Sequence, residues 1–116
     1  SRSLVIDDDD IVRRSLRRYL EYHDYNVVVA QNGEEGVEIY KRRREEIGLI
    51  VLDLSMPKMS GAEVLETIRS LDSEVRVVVV SGFATDKSTL PGVDHVLQKP
   101  FDPEDLIAVV SRTLGS

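Results

Sequence analysis

Asp7, Asp8, Asp53, Ser81 and Lys99 are scattered along the chain, yet each ends an apolar run. Asp7 and Asp8 open the sequence Asp7-Asp8-Asp9-Asp10 directly after Leu4-Val5-Ile6. Unit charges of one sign about 4 Å apart repel by roughly 1 kcal/mol in water and about 4 kcal/mol at an effective dielectric near 20, so such clustering needs a compensating partner. The choices are a helix N-terminus, a bound cation or plain solvation. Asp53 follows Leu49 to Leu52, Ser81 follows Val75 to Val80, and Lys99 follows shortly after Val96-Leu97. If these runs lie side by side, three carboxylates converge on an all-oxygen site with excess negative charge, which a hard divalent cation would relieve. Mg²⁺ suits best, because it uses few carboxylates and completes its octahedron with waters and phosphate oxygens. Lys99 adds a compact positive charge and Ser81 a hydroxyl donor, the two features that hold oxygens of a transferring phosphoryl group. A carboxylate beside them can attack phosphorus and form an acyl phosphate. Most of the catalysis is then positioning and charge neutralisation.

The elements that must position these groups are readable from periodicity. Leu4 to Ile6, Val27 to Ala30, Leu49 to Leu52, Val75 to Val80 and Val96 to Leu97 are short, β-branched-rich runs bounded by charged or turn residues, and predict five strands. Between the first two, Ile11, Val12, Ser15, Leu16, Tyr19 and Leu20 recur at helical spacing, and Asp9 or Asp10 caps the start. A second helix runs from near Gly33 toward Glu46 with Gly36, Val37 and Tyr40 inward. Ser60 and Glu63 form a capping-box pattern for a third, with Gly61, Val64, Leu65 and Ile68 on one face. Asp102-Pro103-Glu104 opens the last helix, followed by Leu106, Ile107, Val110 and Leu114. From Ala84 to Asp94 the sequence allows two helical turns at most, because Leu90-Pro91-Gly92 stops it. Apolar strands alternating with helices predict a parallel α/β sheet covered on both faces, with ligands beyond the carboxyl ends of the strands.

The totals agree with one small domain over residues 1–116. Cysteine is absent, which excludes disulfides and thiolate-bound metal and suits a reducing cytoplasm. No apolar run reaches membrane-span length and no signal-peptide pattern opens the chain, so the expectation is a cytoplasmic protein with no membrane partner. A net charge of −6 argues against direct nucleic-acid binding, which needs a dominant basic field.

The stretches "VIDDDDIVRR", "LIVLDLSMPKMSG", "VVVVSGF" and "VLQKPF" resemble, in order and spacing, the response-regulator receiver domains of two-component signalling. The similarity covers essentially the whole chain. It implies a flavodoxin-like, doubly wound sheet of five parallel strands in the order 2-1-3-4-5, with five helices of which the fourth is shortened. It also implies that Asp53 is the phosphoacceptor, that Asp8 and the backbone carbonyl of Ser55 bind Mg²⁺ directly, and that Asp7 binds it through water. Mn²⁺ can stand in for Mg²⁺. Lys99 matches the lysine that contacts the phosphoryl group, its bond to Pro100 matches a cis peptide, and Ser81 matches the hydroxyl that moves toward the phosphate. The implied partner is a histidine kinase or histidine phosphotransfer protein, the implied assembly extends to a homodimer, and the domain aids its own phosphorylation and dephosphorylation without being an enzyme. "DLSMPKMSG" and "GVDHVLQKPFDPEDL" resemble receivers of hybrid sensor kinases in particular.

Two departures stand out. Val96 occupies the position three before Lys99 where the family commonly has Tyr or Phe, so an inward-swinging ring cannot operate in its usual form. The Ser81 to Lys99 segment is about one helical turn shorter than usual, which reduces the fourth helix. Phe83, two residues past Ser81, is placed to crowd the water that attacks an acyl phosphate.

Taken singly, an Asp, a Ser or a Lys after a strand is structural more often than not, and it is the joint placement that carries the assignment. Asp9 and Asp10 read as capping residues, Arg13, Arg14, Arg17 and Arg18 as the wet face of the first helix, and Lys41 to Arg44 as dipole-favoured cations at a helix end. His23 and His95 are isolated and read as surface residues. A dinucleotide-binding fold would need glycines where Asp7 to Asp10 stand. A haloacid-dehalogenase-type phosphatase would need an acid at Ser55. A degenerate receiver that only binds is disfavoured by the complete set of acids, hydroxyl and lysine.

Overall fold

The protein is described from a computed structural model, which covers residues 2–56, 59–90 and 92–115. The β-branched runs form β1 (Arg2–Ile6), β2 (Asn26–Ala30), β3 (Ile47–Asp53), β4 (Arg76–Ser81) and β5 (His95–Gln98). All neighbours pair in parallel, in the order β2-β1-β3-β4-β5. Helices α1 (Asp10–Tyr22), α2 (Gly33–Arg43), α3 (Gly61–Leu71) and α4 (Pro103–Leu114) cover the sheet.

Because side chains alternate along a strand, each strand feeds both faces. Leu4, Ile6, Ile50, Leu52, Val77 and Val79 pack with Val37, Tyr40, Val64, Leu65 and Ile68 of α2 and α3. Val5, Leu49, Val51, Val78 and Val80 pack on the other face with Leu16, Leu20, Leu106 and Val110 of α1 and α4. Burying each such side chain is worth about 1.5–3 kcal/mol, which explains why the central strands carry almost no polar residue before their last position. The helix starts follow the capping chemistry: Asp9 Oδ1 accepts from the Ile11 and Val12 amides, Asn32 from Glu35, and Ser60 and Glu63 complete a reciprocal box.

Several expectations need correction. Four α-helices, not five, occur among the described residues. The shortened fourth helix is reduced to a single 3₁₀ turn, Lys87–Thr89. Asp86 starts that turn, and Leu90 leaves it in an extended conformation with φ −120°, as the residue before a proline favours. Pro91 itself lies outside the described residues. The short connection is tied down by side chains instead: Arg69 on α3 donates to the carbonyls of Ser73, Val75 and Gly92, and Val77 N–H donates to Asp94 Oδ2 at 2.8 Å. On α1 the inward stripe is narrower than its spacing predicts. Leu16 and Leu20 are buried and Val12 is partly buried, whereas Ile11, Ser15 and Tyr19 are exposed, Ile11 at 76%. Val12, Leu16 and Leu20 form one i,i+4 row turned into the core, and the adjacent row of Ile11, Ser15 and Tyr19 is left to solvent. His95 is half-buried within the edge strand β5 rather than a free surface residue.

Candidate functional site at the carboxyl edge of the sheet

Strand register brings the separated residues together. Ile6 pairs with Leu52, so the next residue of each strand, Asp7 and Asp53, emerge side by side. Asp53 pairs with Val80 and Ser81 with Gln98, which places Ser81 and Lys99 on the same edge. The Lys99 N–H donates to the Ser81 carbonyl at 2.7 Å, locking the end of β5 to β4. The Lys99–Pro100 peptide is cis, as the resemblance implies.

Carboxylate oxygens of Asp7, Asp8 and Asp53 all lie within 4.8 Å of one another. Asp7 and Asp53 are 1% and 4% exposed, whereas Asp8 is open to solvent. Lys99 Nζ stands 4.0 Å from Asp7 Oδ2 and 4.0 Å from Asp53 Oδ2, a single ammonium between two buried acids. Among the described residues, the Lys99 ammonium faces three carboxylates, an excess of negative charge. Burial pushes the Asp7 carboxyl up to about 6, with Asp53 and Asp8 adding repulsion, while the Asp9 N–H and Lys99 pull it down. Asp53 is likewise raised, first by burial and then by Asp8, against the Ser55 N–H and Lys99. Each buried carboxylate has one oxygen fixed by backbone: Asp9 N–H donates to Asp7 Oδ1 at 2.9 Å, and Ser55 N–H to Asp53 Oδ1 at 3.0 Å. Asp7 Oδ2 is buried and accepts no hydrogen bond. A buried acceptor of that kind, beside two more carboxylates, fits a hard cation's all-oxygen donor set.

The loops around these residues are held by contacts that spacing did not reveal. Met56 is buried in the core and anchors the turn after Asp53, while Pro57 and Lys58 of the same motif lie outside the described residues. Gly61, read from sequence only as part of a helix face, lets α3 start directly against this turn: its N–H donates to the Leu54 carbonyl at 3.1 Å. Arg13, expected on the wet face, instead folds back. Its guanidinium donates to the Asp7 carbonyl at 2.8 Å and pairs with Asp10, with the side chain only 13% exposed. The i,i+3 spacing of Asp10 and Arg13 was the available signal. Arg14, Arg17 and Arg18 are exposed as expected. Thr85 was missed altogether. Its hydroxyl lies 3.0 Å from that of Ser81, a contact that no local pattern announces.

Among the described residues no helix is long and apolar enough to cross a membrane. The response regulator receiver domain family matches residues 4–111. The response regulator MprA of Mycobacterium sp. (strain KMS) is 36% identical over 111 residues, covering 92% of this chain and 47% of that protein. The cell cycle response regulator CtrA of Brucella ovis is 34% identical over 122 residues, covering 98% of this chain and 52% of that protein. The chain therefore spans about half the length of these relatives. Among solved structures, the receiver domain of the hybrid histidine kinase CckA superposes with a TM-score of 0.85 at 32% identity, covering 98% of this chain and 99% of that one. CheY in the CheX–CheY–BeF3–Mg²⁺ complex from Borrelia burgdorferi gives a TM-score of 0.91 at 26% identity, covering 97% and 88%.

Proposed function

This chain belongs to the response regulator receiver domain family, and from that premise we propose that Asp53 is its phosphoacceptor, drawing a phosphoryl group from the phosphohistidine of a kinase or phosphotransfer protein in the cytoplasm. Residues 1–116 act as one receiver domain in this reading. The observation that carries it is Lys99 Nζ held 4.0 Å from both Asp53 and Asp7, beside three mutually close carboxylates.

An oxygen of Asp53 forms the new bond to phosphorus as the bond from phosphorus to the imidazole nitrogen breaks. The imidazole leaves with the electron pair, and the carboxylate becomes an acyl phosphate. Asp53 Oδ1 is engaged by the Ser55 N–H, which leaves Oδ2, the oxygen near Lys99, as the attacking atom. Lys99 then has only to follow the charge onto the phosphoryl oxygens, where a pre-placed cation is worth most in a water-poor site. Asp7, Asp8, Asp53 and the Ser55 carbonyl would hold Mg²⁺, which when bound neutralises the acids and the incoming phosphoryl charge. The buried Asp7 Oδ2, without a hydrogen bond, supports that assignment.

Incubation with Mg²⁺ and acetyl phosphate, followed by intact mass measurement, is expected to add one phosphoryl group to the wild-type chain and none to Asp53→Asn. Equal labelling of both would defeat the assignment.

A further inference from the structure

Ser81 is fully buried, and its hydroxyl is consumed by its own turn. Its Oγ lies 2.8 Å from the Phe83 carbonyl oxygen and 3.0 Å from Thr85 Oγ1, and Thr85 Oγ1 lies 3.2 Å from the same carbonyl. The Phe83 N–H donates to Ser81 Oγ at 3.2 Å. Three oxygens thus form a triangle that two hydroxyl protons must serve. Ser81 donates to the carbonyl while Thr85 donates to Ser81 or to the same carbonyl, or Ser81 donates to Thr85 and Thr85 to the carbonyl. In every arrangement the one proton of Ser81 stays inside the triangle.

We propose that Thr85 is a positioning residue that latches the Ser81 hydroxyl away from the phosphoacceptor, so that capture of a phosphoryl group must first open this triangle. The inference rests on the reading of Asp53 as acceptor. An acyl phosphate there presents oxygens that need donors, and Ser81 can donate to them only by turning out of the triangle. Thr85 is well placed to resist that turn. It is half-buried, and the next residue, Asp86, is fixed by its side chain accepting from the Ser88 N–H at 2.9 Å. The far end of the connection is held by Arg69 on the Gly92 carbonyl and by Lys87 Nζ on the Asp94 carbonyl at 3.1 Å. With the fourth helix reduced to one turn, the hydroxyl of Thr85 is, among the described residues, a side-chain contact that joins Ser81 to this segment. Val96 has neither a ring nor a polar atom with which to take over that task.

The test is the affinity for beryllofluoride, a phosphoryl mimic, at saturating Mg²⁺ in five proteins: wild type, Thr85→Val, Thr85→Ser, Ser81→Ala and the double variant Ser81→Ala with Thr85→Val. One net hydrogen bond is at stake, so Thr85→Val is expected to bind roughly three- to tenfold more tightly than wild type. Thr85→Ser keeps the hydroxyl and is expected to match wild type. In the Ser81→Ala background the valine is expected to bring no gain, because nothing remains to be released. Exchange of the Phe83 amide is expected to quicken in Thr85→Val and not in Thr85→Ser. Equal or weaker binding by Thr85→Val, or the same gain with and without Ser81, overturns the latch while leaving Asp53 as acceptor. Wild-type protein that takes up no beryllofluoride overturns both.

Discussion

A β-carbon on Gly61 would come within 2.5 Å of the Leu54 Cα and 2.7 Å of the Asp53 carbonyl oxygen. The first residue of α3 is thus pressed against the backbone that carries Asp53, the proposed acceptor, and the nearest atoms are backbone rather than flexible side chain. Gly61→Ala must push the turn after Asp53 or the start of α3 outward. Overpacking against rigid atoms costs about 1–3 kcal/mol, and the same displacement moves the Ser55 N–H off Asp53 Oδ1. Urea unfolding is expected to show the loss of stability, and acetyl phosphate labelling a parallel loss of phosphoryl uptake. An alanine variant that matches wild type in both would mean that the close approach is not needed.

In the proposed reaction Lys99 serves both the resting acids and the transferred phosphoryl group, and its removal separates the two. Lys99→Met keeps the apolar stem but deletes the ammonium 4.0 Å from two carboxylates. Repulsion of a divalent ion is relieved, so Mg²⁺ affinity is expected to rise roughly three- to tenfold at low salt. Phosphoryl capture is expected to fall on the order of 100-fold, the usual loss when one donor to a developing oxyanion is removed. Titration by isothermal calorimetry and timed mass measurement read the two effects independently. A fall in both would place Lys99 in metal binding rather than in transfer.

Asp7 gives the metal-free protein a pH dependence of known sign. Its carboxyl is raised from 3.8 to about 6 by burial, so the folded protein holds that proton more tightly than the unfolded chain does. The stabilisation is complete below the unfolded value and is lost as pH climbs through the folded one, up to about 3 kcal/mol in all. Asn cannot ionise yet still accepts the Asp9 N–H. Asp7→Asn is therefore expected to differ little from wild type near pH 4 and to gain progressively on it up to pH 7 in thermal melts with chelator. Saturating Mg²⁺ should narrow the gap, because the ion binds the folded acid and not the unfolded chain. A gap that shrinks with rising pH would contradict this account.

Phe83 is 54% exposed while its backbone amide and carbonyl grip Ser81. Truncation to alanine keeps that grip and removes only the ring, which is expected from sequence to crowd a water approaching the proposed acyl phosphate. Phosphorylated Phe83→Ala is expected to lose its phosphoryl group severalfold faster than wild type in a timed mass measurement. An unchanged or longer lifetime would show that the ring does not shield the bond.

The sequence by itself determined the five parallel strands, three of the helix caps and the acid, hydroxyl and lysine set, because each is written in local terms. A β-branched run must be buried on both sides, a Ser60-to-Glu63 spacing closes its own box, and an acid after a strand can only emerge at the strand's end. The four motifs were then enough to place those ends together. Tertiary structure alone decided the rest, for reasons that local patterns do not carry. Whether Arg13 meets water or the Asp7 carbonyl depends on how far the first turn of α1 leans over the sheet edge. Whether Ile11 and Tyr19 are core or surface depends on how wide a stripe the neighbouring α4 leaves for α1. The remnant of the fourth helix, one 3₁₀ turn, is set by the span from β4 to β5 and by Arg69 reaching across from α3. The partner of Ser81, a threonine four residues on, emerges only once that span is closed, since a hydrogen bond between two turn side chains is fixed by backbone path and not by spacing.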